Sequence, residues 1–389
     1  MRISFEQREN ALARALAERR ARGLPLLDLT ESNPTQAGAG LQHQPQLLQA
    51  LADPRAIAYL PESSGLRSAR EAVAAYYAES RGALVDPARV VLTASTSEAY
   101  ALLFKLLCDP GETVLVPEPS YPLFEYLAAL EGVRTVRYPL RWDGEWHLDL
   151  PALREAFAQA RPRPRAILIV SPGNPTGAFL KQDERAALAG LCNAHGCALV
   201  SDEVFADYPR APDPRRVETV AAFADVEAFA LSGLSKVSGL PQLKLGWCLA
   251  AGPRSSERVA QLELIADTYL SVGTPVQLAL PQLLEARHGF QRRLRARLAQ
   301  NLAALLAARA PDAPWDVLPS EGGWSAILSV PRTRSEEEWA LLLLEQGVLV
   351  HPGYFFDFAQ GAYLVVSLLP EERGFAQAAQ VLARTLQDR

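Results

Sequence analysis

Cysteine is scarce in this chain: four thiols occur among 389 residues. They are Cys108, Cys192, Cys197 and Cys248. They have neither the density of a disulfide scaffold nor the spacing of metal ligands. We therefore expect no metal site at these positions, and we expect the four side chains to pack as small hydrophobic groups in a reducing compartment.

Long apolar runs are also missing. No uninterrupted apolar stretch reaches the roughly 20 residues that a membrane-spanning helix needs. The first ten residues, MRISFEQREN, contain no apolar core of a secretion signal, and Glu6, Glu9 and Glu18 do not fit a transit peptide. The sequence predicts a soluble, cytoplasmic protein that has no membrane partner.

An excess of positive charge is absent as well. The chain has 44 acidic and 39 basic side chains, which gives a formal net charge of −5. A protein with this balance has no general attraction to nucleic acid or to anionic membranes. Small molecules are therefore the expected partners.

The chain does contain a regular alternation of short apolar runs and helical stretches. The predicted strands are Val90–Thr93, Thr113–Pro117, Ala166–Val170, Ala198–Ser201 and Ala228–Leu231. The helical stretches include Arg67–Ser80, Ser97–Leu107 and Lys181–His195. This alternation predicts an α/β fold in which helices cover both faces of a mostly parallel sheet.

The two ends of the chain differ from this central region. Residues 4–22 favour a surface helix, which Gly23 and Pro25 end. After a helix over Arg254–Leu270 and a long helix over Leu283–Ala310, strands at Ser325–Val330 and Tyr363–Leu369 are typical of a smaller α+β domain. We expect residues 1–45 to join this small domain (284–389), and residues 46–283 to form the large domain.

Lysine is rare, although arginine is plentiful. The four lysines are Lys105, Lys181, Lys236 and Lys244. Unlike a guanidinium, a lysine amine can lose its proton and form a Schiff base. Lys105 and Lys181 lie on or beside predicted helices, where we expect a solvated surface. Lys236 and Lys244 follow a predicted strand in a segment rich in serine and glycine, where a bulky anionic ligand can approach the backbone.

This segment carries a family resemblance. Ser235-Lys236, followed by Gly239-Leu-Pro and a basic residue before Leu245-Gly246, resembles the lysine motif of the class I/II aminotransferases. Other landmarks occur in family order: Tyr59–Leu66, Thr93–Ala99, Asp109–Glu112, Pro117–Pro122, Ser171–Gly177, Asp202–Phe205 and His351–Gly353. The resemblance covers the chain from about Thr30 to Leu369, and it rests on all of these motifs taken together. It implies the aspartate-aminotransferase-like fold type I, with a seven-stranded-type sheet, and pyridoxal 5'-phosphate as cofactor.

The resemblance assigns four residues to the cofactor ring and the chemistry. Lys236 would hold the cofactor as a Schiff base. Asp202 would keep the pyridine nitrogen protonated; the alternative is the cap of a following helix. Asn174 would bind the ring oxygen, a role compatible with an Asn-Pro turn. Tyr121 would stack on the ring, with ordinary core packing as the alternative.

Further residues are assigned to the cofactor phosphate. Ser95 and Thr96 lie where a strand gives way to a helix, a geometry that serves both capping and phosphate binding. Ser235 adjoins Lys236. Lys244 stands where the family usually has arginine, so it would offer the phosphate a single ammonium charge in place of a planar guanidinium group. Tyr59 resembles a tyrosine that reaches the phosphate from the neighbouring subunit, which implies a homodimer with a shared active site.

The chain departs from the family pattern at three positions. Phe205 replaces a tyrosine that donates to the ring oxygen, so we expect a raised pKa of the Schiff base. Gly233 replaces a serine that contacts the phosphate, and Ser232 is a candidate to compensate. Val365 occupies the position of the arginine that clamps the substrate carboxylate. Loss of one partner from such a pair typically costs about 2–5 kcal/mol, so either another arginine replaces it or the carboxylate is not held in this way.

The expected activity is transfer of an amino group from an amino acid or amine to a keto acid by a ping-pong mechanism. The same scaffold also supports lyase, decarboxylase and carbon–carbon bond-forming chemistry, because fold does not settle function. A transcriptional regulator with an aminotransferase-like sensor domain is the alternative of another class. Only about thirty residues precede the first motif, too few for a DNA-binding domain, and no basic patch is evident.

Overall fold

The computed structural model describes residues 10–40 and 45–387. Its helices are α1 (Ala11–Ala21), α2 (Arg67–Arg81), α3 (Thr96–Leu107), α4 (Leu123–Leu130), α5 (Leu150–Gln159), α6 (Gln182–His195), α7 (Leu234–Val237), α8 (Ser255–Asp267), α9 (Thr274–Glu285), α10 (Arg287–Ala308), α11 (Glu336–Glu345) and α12 (Glu372–Gln387). Its strands are β1 (Leu27–Asp28), β2 (Val90–Thr93), β3 (Thr113–Glu118), β4 (Arg134–Trp142), β5 (Trp146–Leu148), β6 (Pro164–Val170), β7 (Ala198–Asp202), β8 (Ala228–Gly233), β9 (Gly246–Ala251), β10 (Asp316–Leu318), β11 (Ser325–Ser329), β12 (Val348–Leu349), β13 (His351–Pro352) and β14 (Tyr363–Ser367).

The large sheet has eight strands in the order β2-β9-β8-β7-β6-β3-β4-β5. Strands β4, β3, β6, β7 and β8 pair in parallel, whereas β9 is antiparallel to both β2 and β8. The expected α/β class is therefore confirmed. The sheet has one strand more than the seven-stranded type because Trp146–Leu148 folds back on β4 as an antiparallel hairpin.

Apolar cores cover both faces of this sheet, as buried parallel strands require. One core contains Val73 of α2 and Leu280 of α9, and the core on the other face contains Leu103 of α3 and Leu262 of α8. The five predicted strands all occur, and their ends lie within two residues of the predicted ones. The reason is that each is a short apolar run in which nearly every residue is buried, on both faces of the sheet.

The second sheet is smaller and antiparallel, in the order β10-β11-β14-β13. Helices α10, α11 and α12 pack on one of its faces around Leu298, Leu343 and Phe375. Strand β1, from the amino-terminal part of the chain, pairs with β12. The long helix expected over Leu283–Ala310 occurs as α10, but it begins four residues later, at Arg287, because Leu283 still belongs to α9, which ends at Glu285.

The remaining helix predictions are close to the observed bounds. The first helix spans Ala11–Ala21, and the predicted residues 4–9 lie outside the described part of the chain. The four cysteines are free thiols, three of them buried. Within residues 10–40 and 45–387, no helix combines the length and the apolar character needed to cross a membrane.

Candidate active site

The carboxyl ends of three parallel strands bring polar side chains to one edge of the large sheet. Asp202 ends β7, Asn174 follows β6, and Lys236 follows β8. Ligands of open α/β sheets bind at this edge. A cavity of about 340 Å³ opens there. Eight predicted site residues line it together: Ser95, Thr96, Tyr121, Asn174, Asp202, Ser235, Lys236 and Lys244.

Lys236 lies in α7, and aromatic rings surround its amine. Its Nζ is 4.7 Å from the ring centroid of Trp324 and 5.4 Å from that of Phe205. The Nζ donates a hydrogen bond to the Ser32 carbonyl at 3.3 Å. Burial lowers the pKa of Lys236 to about 8, although Asp202 and Glu31 oppose the shift. More of this amine is therefore neutral, and nucleophilic, near neutral pH than for an ordinary lysine.

Asp202 is held by two donors at the end of β7. Its carboxylate accepts from the Val204 amide at 3.1 Å and from the Tyr100 hydroxyl at 3.3 Å. Burial raises the pKa of Asp202 to about 6, and these two hydrogen bonds and Lys236 limit the rise. The alternative role as a helix cap is wrong, because the residues after Asp202 form a turn and no helix begins there.

The amino terminus of α3 forms another wall of the cavity. Ser95 caps this helix, and its Oγ accepts from the Glu98 amide at 3.2 Å. Gly246 makes room beside it, since a Cβ at this position would lie 3.1 Å from the Thr96 nitrogen. Lys244 is exposed and lines the same cavity. Helix amide groups, hydroxyls and an ammonium group thus surround a space that suits an anion.

Tyr121 and Asn174 complete the cavity from two loops. Tyr121 is 47% exposed, so the alternative of ordinary core packing is wrong. It lies between β3 and α4, beside Phe124 in the cavity wall. Asn174 is partly buried in the loop after β6. An aromatic face and an amide therefore flank the space next to Asp202.

Tyr59 does not join the other eight residues within this chain. It is 76% exposed and lines a different pocket, together with Glu98 and Tyr269. Its position in the described chain therefore leaves its hydroxyl free to meet another molecule.

Two of the three departures alter the cavity wall directly. Phe205 lines it and packs edge-on against Trp324, with ring centroids 5.2 Å apart. A Cβ at Gly233 would lie 2.9 Å from the Cα of Gly246, so the strands approach too closely for a serine without movement. The suggestion that Ser232 compensates is wrong: its side chain is buried, alternates to the opposite face of β8, and its Oγ has no hydrogen-bond partner.

Lys181 corrects one expectation from the sequence. It is buried rather than solvated, and its Nζ lies 2.5 Å from the Glu321 carboxylate. Glu321 precedes β11, so this ion pair joins the start of α6 to the smaller sheet. Lys105 is exposed, as expected.

Three residues of the site escaped the sequence analysis. Tyr100 donates to Asp202, Trp324 covers the lysine amine, and the Ser32 carbonyl accepts from it. Helical periodicity could have found Tyr100, because it lies four residues after Thr96 on the same face of α3. The other two reach the site through long-range packing that no local motif records.

The site as a whole is one that can hold an anionic carbonyl compound covalently beside a carboxylate. The family profile described as Aminotransferase class I and II matches residues 25–372. An alanine aminotransferase of Mycobacterium tuberculosis is 28% identical, and the match covers 94% of this chain and 86% of that protein. The chain belongs to the aminotransferase class I and II family, and it is an aminotransferase.

Solved structures agree with the fold. The alanine aminotransferase of Pyrococcus furiosus superposes with a TM-score of 0.85 at 22% identity, over 98% of both chains. N-succinyldiaminopimelate aminotransferase of Mycobacterium tuberculosis gives a TM-score of 0.80 at 28% identity, over 97% of both chains. The expected fold type is therefore confirmed.

Proposed function

We propose that this aminotransferase uses pyridoxal 5'-phosphate to move an amino group from an amino acid or amine to a keto acid, in two half-reactions at one cavity. The observation that carries the proposal is that a partly buried lysine and a partly buried aspartate lie at the same edge of the sheet and line one cavity. The lowered pKa of Lys236 and the raised pKa of Asp202 both arise from burial beside this cavity.

The residues present fit this cofactor. Ser95, Thr96, Ser235 and Lys244 would hold the phosphate at the amino terminus of α3, where Gly246 leaves space. Tyr121 and Asn174 would contact the ring and its oxygen. When bound, the cofactor supplies a protonated ring that withdraws electrons from the carbon bearing the amine.

The chain's own residues would then control two protons. Asp202 would keep the proton on the ring nitrogen, and Tyr100 and the Val204 amide donate hydrogen bonds that orient its carboxylate. Lys236 would hold the cofactor through Nζ, and its free amine would accept the proton from the donor's Cα. A pKa near 8 suits this second role, because the amine is then partly neutral at physiological pH.

Borohydride reduction followed by peptide mapping tests the proposal. The reduced tag is expected on the peptide that contains Lys236, and it should be absent from Lys236→Ala. Lys105→Ala is the matched control, because Lys105 is exposed and does not line the cavity. A tag on another residue, or a purified protein that takes up no cofactor, contradicts the proposal.

The reaction type is tested by a donor screen. Loss of the cofactor's visible absorbance that a keto acid restores indicates transamination, whereas release of pyruvate and ammonia indicates elimination. Alanine is a natural first donor, because several relatives are named alanine or glutamate-pyruvate aminotransferases. These names do not favour the lyase or decarboxylase alternative.

We further propose that the working unit is a cytoplasmic homodimer in which Tyr59 reaches the partner's phosphate site. Its exposed position, outside the cavity of its own chain, supports this role. We also propose residues 46–283 as the large domain and 284–389, joined by 1–45, as the small domain. The pairing of β1 with β12 supports the assignment of the amino-terminal segment.

A further inference from the structure

Two of the four cysteines lie together beneath one turn of the surface. Cys192 is in the last turn of α6, and Cys197 is the residue before β7. The four residues between them are exposed, whereas Cys192 is 1% exposed and Cys197 is 3% exposed. Both side chains belong to one apolar core, and Cys108 and Cys248 lie in the core on the opposite face of the large sheet. The sheet therefore separates this pair of thiols from the other two.

The end of α6 holds the two thiols in contact. Gly196 ends the helix in the left-handed conformation, with a φ of 64°, and the Cys197 amide donates to the Cys192 carbonyl at 3.1 Å. This bond closes a Schellman turn, in which the side chains of the first and last residues commonly pack against each other. Both of these side chains are thiols here, and the Cys192 thiol donates a hydrogen bond to the Cys197 sulfur.

We propose that Cys192 and Cys197 are a redox-active dithiol, which a peroxide converts to an intramolecular disulfide. The exposed turn above the pair gives access to it, because the end of a helix opens at a low cost in free energy. Disulfides are rare in a reducing compartment and are usually transient there. The reduced pair is therefore the resting state, in which both side chains pack as small apolar groups.

The hydrogen bond between the thiols sets the order of the reaction. Because Cys192 donates it, the pKa of Cys197 is lowered and that of Cys192 is raised, so the Cys197 thiolate is the nucleophile. It attacks one oxygen of hydrogen peroxide, the O–O bond breaks, one water leaves, and Cys197 becomes a sulfenic acid. The Cys192 sulfur then attacks the Cys197 sulfur, and the hydroxyl leaves with the thiol proton as a second water. The two thiols lose two electrons, which reduce one peroxide to two waters.

The disulfide would form away from the active-site cavity. Cys197 precedes the amino end of β7, whereas Asp202 is the last residue of this strand and lines the cavity. Five residues of a strand span about 16 Å. Oxidation should therefore leave cofactor uptake and the borohydride label at Lys236 unchanged, and the inference does not depend on the proposed function.

Treatment of the folded wild-type holoenzyme with hydrogen peroxide tests the inference. The number of thiols that react after denaturation should fall from the four of the sequence to about two. The tryptic peptide 186–210 contains Cys192 and Cys197 and no other cysteine. Its mass should fall by about 2 Da, and it should resist alkylation until dithiothreitol reduces it.

Single variants separate the roles of the two thiols. In Cys192→Ser the sulfenic acid at Cys197 should persist and react with dimedone, whereas Cys197→Ser should give no dimedone label in peptide 186–210. Cys108→Ser is the matched control, because it removes a thiol outside the pair and should still form the disulfide. Four reactive thiols after peroxide treatment, loss of thiols only outside peptide 186–210, or a disulfide that forms only in denaturant overturns the inference.

Discussion

At the scale of single residues, burial moves Lys236 and Asp202 toward their neutral forms. The pKa of the lysine falls to about 8 and that of the carboxyl rises to about 6, because each charge loses hydration that its few partners do not replace. Asp202 therefore opposes folding whenever it is ionised in the cofactor-free protein. A bound cation, such as a protonated ring nitrogen, would relieve this cost.

The change Asp202→Asn should stabilise the cofactor-free protein at pH 7.5. The pKa of Asp202 in the fold lies above its ordinary value of 3.8, so stability is lost as the pH rises from about 4 to about 6, and the loss is complete above that. A shift from 3.8 to about 6 corresponds to about 2–3 kcal/mol. Urea unfolding at pH 4.5 and 7.5 measures the difference between variant and wild type.

Burial also raises the pKa of Glu203, to about 7, so Glu203 and Asp202 titrate in overlapping pH ranges. The contribution of Glu203 is present in both variant and wild type and cancels when the two are compared. The same variant should lose about three orders of magnitude in kcat, because the ring proton is no longer held. An equal stability difference at both pH values would show that Asp202 is not the group that titrates.

Phe205→Tyr should lower the pKa of the Schiff base at Lys236 by about one unit, since one hydrogen bond to the ring oxygen is worth about 1 kcal/mol. The ring of Phe205 lies in the cavity wall, 5.4 Å from Nζ, so a phenol at this position reaches the cofactor space. A pH titration of the visible absorbance measures the shift. Phe205→Leu is the control, and an equal shift in that variant would assign the effect to packing.

At the scale of secondary-structure elements, the ion pair between Lys181 and Glu321 connects the start of α6 to the loop before β11. Glu321 also accepts from the Phe179 amide at 3.3 Å, so the carboxylate is held from two sides. Lys181→Met should lower the free energy of unfolding by about 3 kcal/mol, because it leaves a partly buried carboxylate unpaired. Chemical denaturation measures this loss.

The double variant Lys181→Met/Glu321→Gln should recover part of that loss, since the isolated charge is gone. Lys105→Met is the surface control: its partner Glu131 lies in a more exposed pair, so a change below about 1 kcal/mol is expected. A loss at Lys181 no larger than that at Lys105 would mean that the buried pair contributes no more than a surface pair.

The ion pair between Lys181 and Glu321 is an example of a contact that the sequence does not predict. The strand that ends at Asp202 and the helix that begins at Thr96 follow from local apolar runs and caps, and so do the side chains they carry to the cavity. The burial of Lys181 depends on a partner 140 residues away, and the cover of Trp324 over the lysine depends on packing between the two sheets. Contacts of that range leave no periodic pattern in the chain.

At the scale of the whole molecule, one stretch of surface is unusually apolar. Ile57 is 91% exposed, and Tyr59 and Leu60 beside it are also well exposed. Tyr269 lines the same pocket as Tyr59 and Leu60, which makes the apolar surface continuous. Exposed patches of this kind commonly mark contacts with other protein chains. The proposed dimer would cover it and bring Tyr59 to the partner's cavity.

Ile57→Asp should convert the dimer to a monomer, because a carboxylate buried without a partner opposes association. Size-exclusion chromatography with light scattering should give twice the 42.4 kDa of one chain for the wild type, and a single chain for the variant. Leu84→Asp is the matched control, since Leu84 is 92% exposed but lies outside the exposed apolar run of Ile57, Tyr59 and Leu60.

Tyr59→Phe separates assembly from cofactor binding. It should leave the dimer intact but weaken cofactor affinity about tenfold, because one hydrogen bond to the phosphate is lost. Spectroscopic titration of the cofactor-free protein measures this affinity. A wild-type protein that is monomeric and fully active would contradict the shared site. If Tyr59→Phe is a dimer with unchanged cofactor affinity, the proposed assembly stands, but Tyr59 does not bind the phosphate.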